Sequence, residues 1–261
     1  MFKQFILKID KVFFGKKLKK LYTNYITDRL LKRLESECGY KITSYYPKNM
    51  NCEVSRLCDL YGSDKGELRP NGHTYSWPSH TYADFYSQLF SHCRNNVKKV
   101  FECGLGTNNP NIPSTMGVFG KPGASLRMWR DYFPNATVYG ADIDKDVLFQ
   151  EERIKTYFVD QLNPATINEL WNQVGVADFD FMVDDGLHTF EAGSTLFTHS
   201  IDKLAQNGIY IIEDVSVDEL LRYLDFFKNK PFHVDCVCLF RPTIGLSEER
   251  NSLLAIRRKF N

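Results

Sequence analysis

Two stretches of this chain, Val183-Asp184-Asp185-Gly186-Leu187-His188 and Ile211-Ile212-Glu213-Asp214, pass from apolar residues straight into carboxylates. An apolar run of this length, bounded by Gly or polar residues, reads as a strand buried on both faces of a parallel sheet. In open α/β sheets the ligand crevice lies beyond the carboxyl ends of the strands. Neighbouring strands lie about 4.8 Å apart. If these two are neighbours, Asp185, His188, Glu213 and Asp214 converge on one small volume. Three carboxylates and an imidazole there suit a hard divalent cation with a general base beside it.

The rest of the chain supplies the other parts of such a sheet. Residues 99–104, 136–143 and 154–160 read as the first three strands, 179–184 and 208–213 as the fourth and fifth, and 232–240 and 252–257 as two closing strands. Helical patterns lie between them at 125–133, 164–174, 190–205 and 217–228, with Ser125 a candidate N-cap and Pro164 a favourable first residue. Strands alternating with helices predict an α/β fold with a doubly wound, mostly parallel, seven-stranded Rossmann-like sheet.

Residues 1–36 differ. Ten Lys or Arg and only two Asp lie between Lys3 and Arg33, interleaved with apolar residues at spacings of three and four. This reads as a basic amphipathic helical extension, either a solvated cap or a peripheral membrane contact. Residues 1–56 are therefore set apart from a catalytic domain over 57–261. Residues 37–97 show little strand character. They contain the turn-like Gly62-Ser63-Asp64-Lys65-Gly66 and then His73, Tyr75, Trp77, His80 and Tyr82. That loop is a substrate lid or a packed surface loop, and composition alone does not choose.

Bulk properties exclude several classes. A net charge of +1 gives no basis for nucleic-acid binding. No apolar run approaches the roughly 20 residues of a membrane span, and charge breaks the start too early for a signal peptide. Seven cysteines without a CxxC pair argue against structural zinc or a disulfide framework and favour a cytoplasmic protein with free thiols.

Glu102-Cys103-Gly104-Leu105-Gly106 ends the first strand, where glycines let a ligand approach the backbone. The dinucleotide fingerprint needs a third Gly and an immediate helix. Here that position is Asn109, and a Pro- and Gly-containing loop intervenes before Ser125. A nucleoside fits this better than a pyrophosphate. Asp142 closes the second strand, the usual place for a carboxylate that binds ribose hydroxyls. Asp160 and Gln161 close the third, where an adenine ring can meet a polar edge.

Taken together, Tyr61-Gly62-Ser63-Asp64-Lys65-Gly66, Glu102-x-Gly104-x-Gly106, the 123–129 segment, Gly140-Ala141-Asp142-Ile143, Asp160-Gln161, Asp184 to His188 and Gly208 to Asp214 resemble a known family. It is the class I S-adenosylmethionine-dependent methyltransferases, and more closely the metal-dependent sugar O-methyltransferases of the mycinamicin and macrocin type. The resemblance covers residues 57 to 257. It implies S-adenosylmethionine as cofactor, with Tyr61, Glu102, Gly104, Gly106, Ser125, Asp142, Asp160, Gln161 and Asp184 around it. It implies Mg²⁺ or Mn²⁺ on Asp185, Glu213 and Asp214, and His188 as base with Asp185 beside it. Leu187 stands where the family often has Ser.

The acceptor expected from this is a small-molecule sugar or sugar nucleotide with neighbouring hydroxyls. Abundant Lys, Asn, Phe and Tyr associate it with a bacterial surface polysaccharide rather than an antibiotic. Assembly as a homo-oligomer in the cytoplasm, with the basic segment at the inner membrane face, completes the expectation. The rival readings are methyl transfer to a phosphoramidate or another phosphorylated acceptor, a membrane-associated module without catalysis, and a dinucleotide oxidoreductase.

Overall fold

The computed structural model describes residues 42–45, 51–69, 75, 77–240 and 252–259. The basic segment 1–36, His73 and the loop at 241–251 lie outside the described residues. Among the described residues the first elements are β1 (Ile42–Tyr45), α1 (Glu53–Tyr61) and α2 (Tyr82–Phe90). β2 (Lys99–Cys103), α3 (Ala124–Tyr132), β3 (Thr137–Asp142), β4 (Gln150–Glu151) and β5 (Ile154–Phe158) form the first half of the sheet. The second half is α4 (Pro164–Val174), β6 (Phe179–Asp184), α5 (Phe190–Ser200), β7 (Leu204–Ile212), α6 (Val217–Phe227), β8 (Phe232–Phe240) and β9 (Ser252–Arg258).

Strand order is β1-β8-β9-β7-β6-β2-β3-β5-β4. The central pairings β7/β6, β6/β2, β2/β3 and β3/β5 are parallel, and β9 runs antiparallel to both β7 and β8. The seven strands read from the sequence are all there. Two short edge strands join them: β1, parallel to β8, and β4, antiparallel to β5. β4 is two exposed polar residues, Gln150 and Glu151, so it has no apolar pattern to announce it. The division drawn between residues 56 and 57 falls inside α1, and β1 from the segment before it pairs in the same sheet.

The central strands alternate between two cores. Phe101, Met182, Tyr210, Ile212 and Leu254 point to one face, under Leu170, Leu196 and Leu220 of α4, α5 and α6. Val100, Val138, Phe181, Val183 and Ile211 point to the other, under residues of α1, α2 and α3. Helices on both faces explain why the strands are apolar throughout. The fifth strand starts at Leu204, four residues before the apolar run, because Gly208 lets it pass Phe179. A Cβ there would lie 2.6 Å from the Phe179 carbonyl oxygen.

Two helix starts show local rules at work. Asn163 caps α4 by accepting from the Ala165 N–H at 3.0 Å, with Pro164 in the first turn. α3 starts one residue before the expected N-cap. Gly123, at φ 74°, takes the N-cap place in the left-handed region, and Ser125 becomes a first-turn residue. Among the described residues no helix is long and apolar enough to cross a membrane.

Phe181 on β6 sits at the centre of the second core. Its ring lies 4.8 Å from Phe90, 5.1 Å from Trp129 and 5.5 Å from Tyr86, centroid to centroid. Phe181→Ala is expected to cost about 3–5 kcal/mol, read by urea unfolding under far-UV circular dichroism. A cost below about 1 kcal/mol would mean the cluster is not the packing centre described here.

Candidate functional site

β6 and β7 are neighbours in parallel register, with Asp184 opposite Ile212. The Glu213 N–H donates to the Asp184 carbonyl at 2.9 Å, and the Asp185 N–H donates to the Cys103 carbonyl at 2.8 Å. The tips of β2, β6 and β7 are thus stitched together in one layer. Beyond that layer the chain turns sharply into α5 and α6, whose N-termini are capped by Thr189 and Ser216. His188 at φ 57° and Asp214 at φ 54° occupy the left-handed region that side chains with a Cβ rarely adopt. Such strain persists where surrounding structure enforces it, and it concentrates at functional sites.

These turns aim three side chains at one point. His188 Nε2 lies 3.2 Å from Asp185 Oδ1, and its Nδ1 lies 3.7 Å from Asp214 Oδ2. One ligand atom each from Asp185, His188 and Asp214 falls within 4.8 Å of the others. That span is close to the distance across a hard cation with bonds of about 2.1 Å. Carboxylate oxygens suit magnesium or manganese, so Asp185 and Asp214 fit such an ion, with the His188 imidazole beside it. Tyr82 steadies Asp214: its hydroxyl donates to Oδ1 at 2.7 Å and accepts from the Asp214 N–H at 3.2 Å. His80 Nε2 lies 3.4 Å from the same Oδ1.

Glu213 is placed differently. Its carboxylate points down to the sheet, where Lys65 donates to Oε2 and Tyr86 donates to Oε1. Lys65, only 1 % exposed, also donates to Asp185 Oδ2 at 2.6 Å and lies 3.1 Å from Glu102 Oε1. Glu102 accepts from Trp129 Nε1 at 2.7 Å on its other oxygen. Burial alone would lower the Lys65 pKa, but Asp185, Glu102 and Glu213 hold it well above the ordinary lysine value. Burial would raise Asp185, yet Lys65 and His188 keep it below the usual carboxylate range. Burial pushes Glu213 well up, against the pull of Lys65 and with the help of Asp185 and Glu102. Three carboxylates crowd one ammonium, and their mutual repulsion adds to burial in raising Glu213.

A cavity of about 480 Å³ opens above this floor. Gly104, Leu105, Gly106, Ala124, Ser125, Asp185, His188, Glu213 and Asp214 line it, facing Ser63, Asp64, Lys65, Trp77, Pro78 and His80 from the N-terminal side. The loop after Gly106 folds back to contribute Ser114, Thr115, Met116 and Lys121. Gly104, at φ 96°, is required: a Cβ there would overlap the Asp185 carbonyl. Trp77 is fixed by donating to Asp64 Oδ2 at 2.7 Å, so this segment packs and lines the cavity at once.

The other expected cofactor residues fall around or away from this space. Asp142 accepts from the Leu105 and Asp144 N–H groups at 2.7 and 2.8 Å, bracing the glycine loop. Gln161 donates to Asp184 Oδ1 at 2.6 Å and accepts from the Leu187 N–H at 2.8 Å, tying the chain after β5 to the tip of β6. Asp160 accepts from the Leu162 N–H at 2.9 Å. Tyr61 donates to Asp131 and accepts from Arg130, outside the cavity. Sequence reasoning missed Lys65, Tyr82 and Tyr86 as site residues. Lys65 stood within a motif already singled out, but nothing local marked it as buried.

No family model matches the chain. It is 32% identical over 162 residues to the 8-demethyl-8-alpha-L-rhamnosyl tetracenomycin-C 2'-O-methyltransferase of Streptomyces olivaceus, covering 62% of this chain and 37% of that protein. It is 33% identical over 160 residues to the demethylmacrocin O-methyltransferase of Streptomyces fradiae, covering 60% and 38%. The chain thus spans less than two fifths of the length of these relatives. Among solved structures it superposes on the MycE methyltransferase of the mycinamycin pathway, in complex with Mg and SAH, with a TM-score of 0.55. That match is 23% identical and covers 81% of this chain and 56% of the other. The fold is that of the S-adenosylmethionine-dependent methyltransferases. The resemblance read from the motifs is borne out at the level of fold and relatives, and the relatives' names are those of sugar O-methyltransferases of antibiotics.

Asp184 supplies a test of this buried architecture. Burial pushes its carboxyl up to about 6, and Gln161 and His188 offset only part of that rise. A raised folded-state pKa means its contribution to stability is complete below the ordinary carboxylate value and is lost as pH rises through about 6. In Asp184→Asn with chelator present, the gain in Tm over wild type should be larger near about pH 8 than near about pH 4. Equal differences at the two values would contradict the assignment.

Proposed function

We propose that this protein transfers a methyl group from S-adenosylmethionine to a sugar hydroxyl with the help of a divalent cation. The observation that carries the reading is the convergence of Asp185, His188 and Asp214 on the rim of the cavity that Gly104, Gly106 and Ser125 also line. The chemistry a bound sulfonium supplies is an in-line displacement, in which positioning dominates the barrier. The chemistry a bound Mg²⁺ or Mn²⁺ supplies is Lewis acidity that makes a hydroxyl a better nucleophile.

The chain's own residues do the remaining work. Asp185 and Asp214 would hold the cation, with Glu213 behind them as the third carboxylate of the resemblance. The tautomer of His188 that donates Nε2–H to Asp185 leaves Nδ1 as the proton acceptor, and both carboxylates stabilise the imidazolium that results. Asp142 and Gln161 hold the loops that a nucleoside would rest on, and Glu102 fixes Trp129 beneath them. A hard cation prefers about six oxygens, so two side chains leave positions for water and for two neighbouring hydroxyls of a sugar.

The carrier of that sugar is proposed from composition: a nucleotide-linked or glycan-bound sugar of a bacterial surface polysaccharide. A cytoplasmic homo-oligomer with residues 1–36 at the membrane surface belongs to the same reading and rests on sequence alone. Methyl transfer is best measured with labelled S-adenosylmethionine across sugar nucleotides, glycosylated polyketides and phosphorylated small molecules. Transfer to sugar nucleotides supports the carrier. Transfer to glycosylated polyketides alone replaces it, and transfer to the phosphorylated compounds alone removes the sugar reading.

Two further outcomes follow. His188→Ala should lower kcat by about 10²–10⁴-fold while S-adenosylhomocysteine still binds; near-normal turnover would refute the base. Chelation should abolish turnover and Mg²⁺ should restore it, whereas activity indifferent to both would remove the cation from the mechanism.

A further inference from the structure

Trp77 lines the cavity with Ser63, Asp64 and His80, and it is half-buried. Its indole N–H donates to Asp64 Oδ2 at 2.7 Å. One face of the ring stacks on Tyr75, with centroids 5.2 Å apart and planes inclined by 27°. Tyr75 is itself buried. Its hydroxyl pairs with Ser79 Oγ at 2.5 Å, and Ser79 Oγ donates to Glu67 at 2.8 Å. Two independent contacts, one at the indole edge and one on its face, therefore fix the plane of Trp77. Among the described residues Tyr75 is the one ring stacked on it. A rigid aromatic surface at a cavity wall offers a ligand contact area with little ordering left to do.

The occupant follows from what shares that wall. His80 stacks on Tyr82 with centroids 4.6 Å apart and places Nε2 3.4 Å from Asp214 Oδ1. The segment carrying Trp77 thus reaches the carboxylates around which a reacting hydroxyl would gather. Gly104, Gly106 and Ser125, the expected cofactor contacts, belong instead to the tip of β2 and the start of α3. Carboxylates at Asp64 and Asp214 disfavour an anionic group beside Trp77, since like charges brought together are costly. A pyranose ring is neutral. Its edge is hydroxylated, and its faces are made of C–H bonds whose hydrogens carry slight positive charge. The negative face of an indole attracts such a surface.

Resting on the reading of the protein as a sugar O-methyltransferase, we infer that Trp77 is the platform for the acceptor ring. The indole face turned from Tyr75 stacks on the C–H face of the sugar whose hydroxyl is methylated. Tyr75 and Asp64 are positioning residues that act through it. The platform also selects: a sugar with an axial hydroxyl aimed at the indole loses water there and gains no partner, so it is disfavoured. The rival occupant of the same face is the cofactor, whose sulfonium an indole also attracts.

Two measurements separate these occupants. Trp77 is the half-buried one of three tryptophans, since Trp129 and Trp171 are 0 and 5 % exposed. Acrylamide quenching of tryptophan fluorescence in the full-length chain therefore reads chiefly Trp77. Mg²⁺ with S-adenosylhomocysteine should leave quenching nearly unchanged, and a series of methyl pyranosides added at saturation should suppress it. Full shielding by S-adenosylhomocysteine alone, or quenching that no pyranoside alters, overturns the proposal. The second measurement is methyl-transfer kinetics. Trp77→Ala should raise KM for the sugar about tenfold, with kcat and KM for S-adenosylmethionine within about twofold, as expected when binding alone is lost. Trp77→Phe, which keeps a ring over Tyr75, should recover most of that loss. An equal rise in both KM values, or Trp77→Phe as impaired as Trp77→Ala, overturns the platform. If Trp77→Ala does not fold, quenching of the unaltered chain decides. The reading beneath fails by a different result, the absence of methyl transfer to every sugar tested.

Discussion

The parallel pairing of β6 with β7 is the constraint on which the rest of the site depends. Side chains on a strand alternate with a period of two, so a slip of one residue would send every core residue to the wrong face. Phe181 and Val183 must enter one core and Met182 the other, as Ile211 and Ile212 must on β7. That double demand holds Asp184 opposite Ile212 and starts both turns in the same layer. The carboxylates that follow have nowhere to go but the same crevice. Chemistry at the tips is thus a by-product of burial in the body of the sheet.

Concentrating acid at strand ends brings a charge problem that the fold answers from a distance. Lys65 enters from the turn after α1, 120 residues before Asp185 and 148 before Glu213. Gly62 ends that helix in the left-handed region at φ 86° and starts the turn that carries Lys65 inward. Tyr82 and Tyr86, one helical turn apart on α2, present their hydroxyls to Asp214 and Glu213. The N-terminal helices are therefore part of the site and not a cover laid over it. Their packing on the second core couples the position of these three side chains to the sheet itself.

This division explains what could be read from the chain and what could not. Strands buried on both faces leave unbroken apolar runs, and the residues that end them are conspicuous because they break the run. Asp185, Glu213, Asp214 and Gly104, which line the cavity, were legible for that reason. His188 followed because it shares a short turn with Asp185. Lys65 was not, since a lysine in a Gly-Ser-Asp-Lys-Gly turn has the local signature of a solvated loop. Its charged partners are remote in sequence: Glu102, Asp185 and Glu213. Tyr82 stands among the aromatics of the 73–82 loop and Tyr86 four residues on, and the carboxylates their hydroxyls meet are equally remote. The motif puts Tyr61 near the cofactor, and in the structure its hydroxyl pairs with Asp131 and Arg130. The start of α3 was misplaced by one residue because Gly123, rather than a hydroxyl side chain, occupies the N-cap.

The central claim is that two adjacent strand tips hold a divalent ion beside the nucleoside cavity. Crystals grown with Mn²⁺ and S-adenosylhomocysteine test it most directly, through the anomalous scattering of manganese. The account predicts one strong anomalous peak within bonding distance of Asp185 and Asp214, and the nucleoside against Gly104, Gly106 and Ser125. A peak remote from those two carboxylates, or the nucleoside bound outside that cavity, would contradict it.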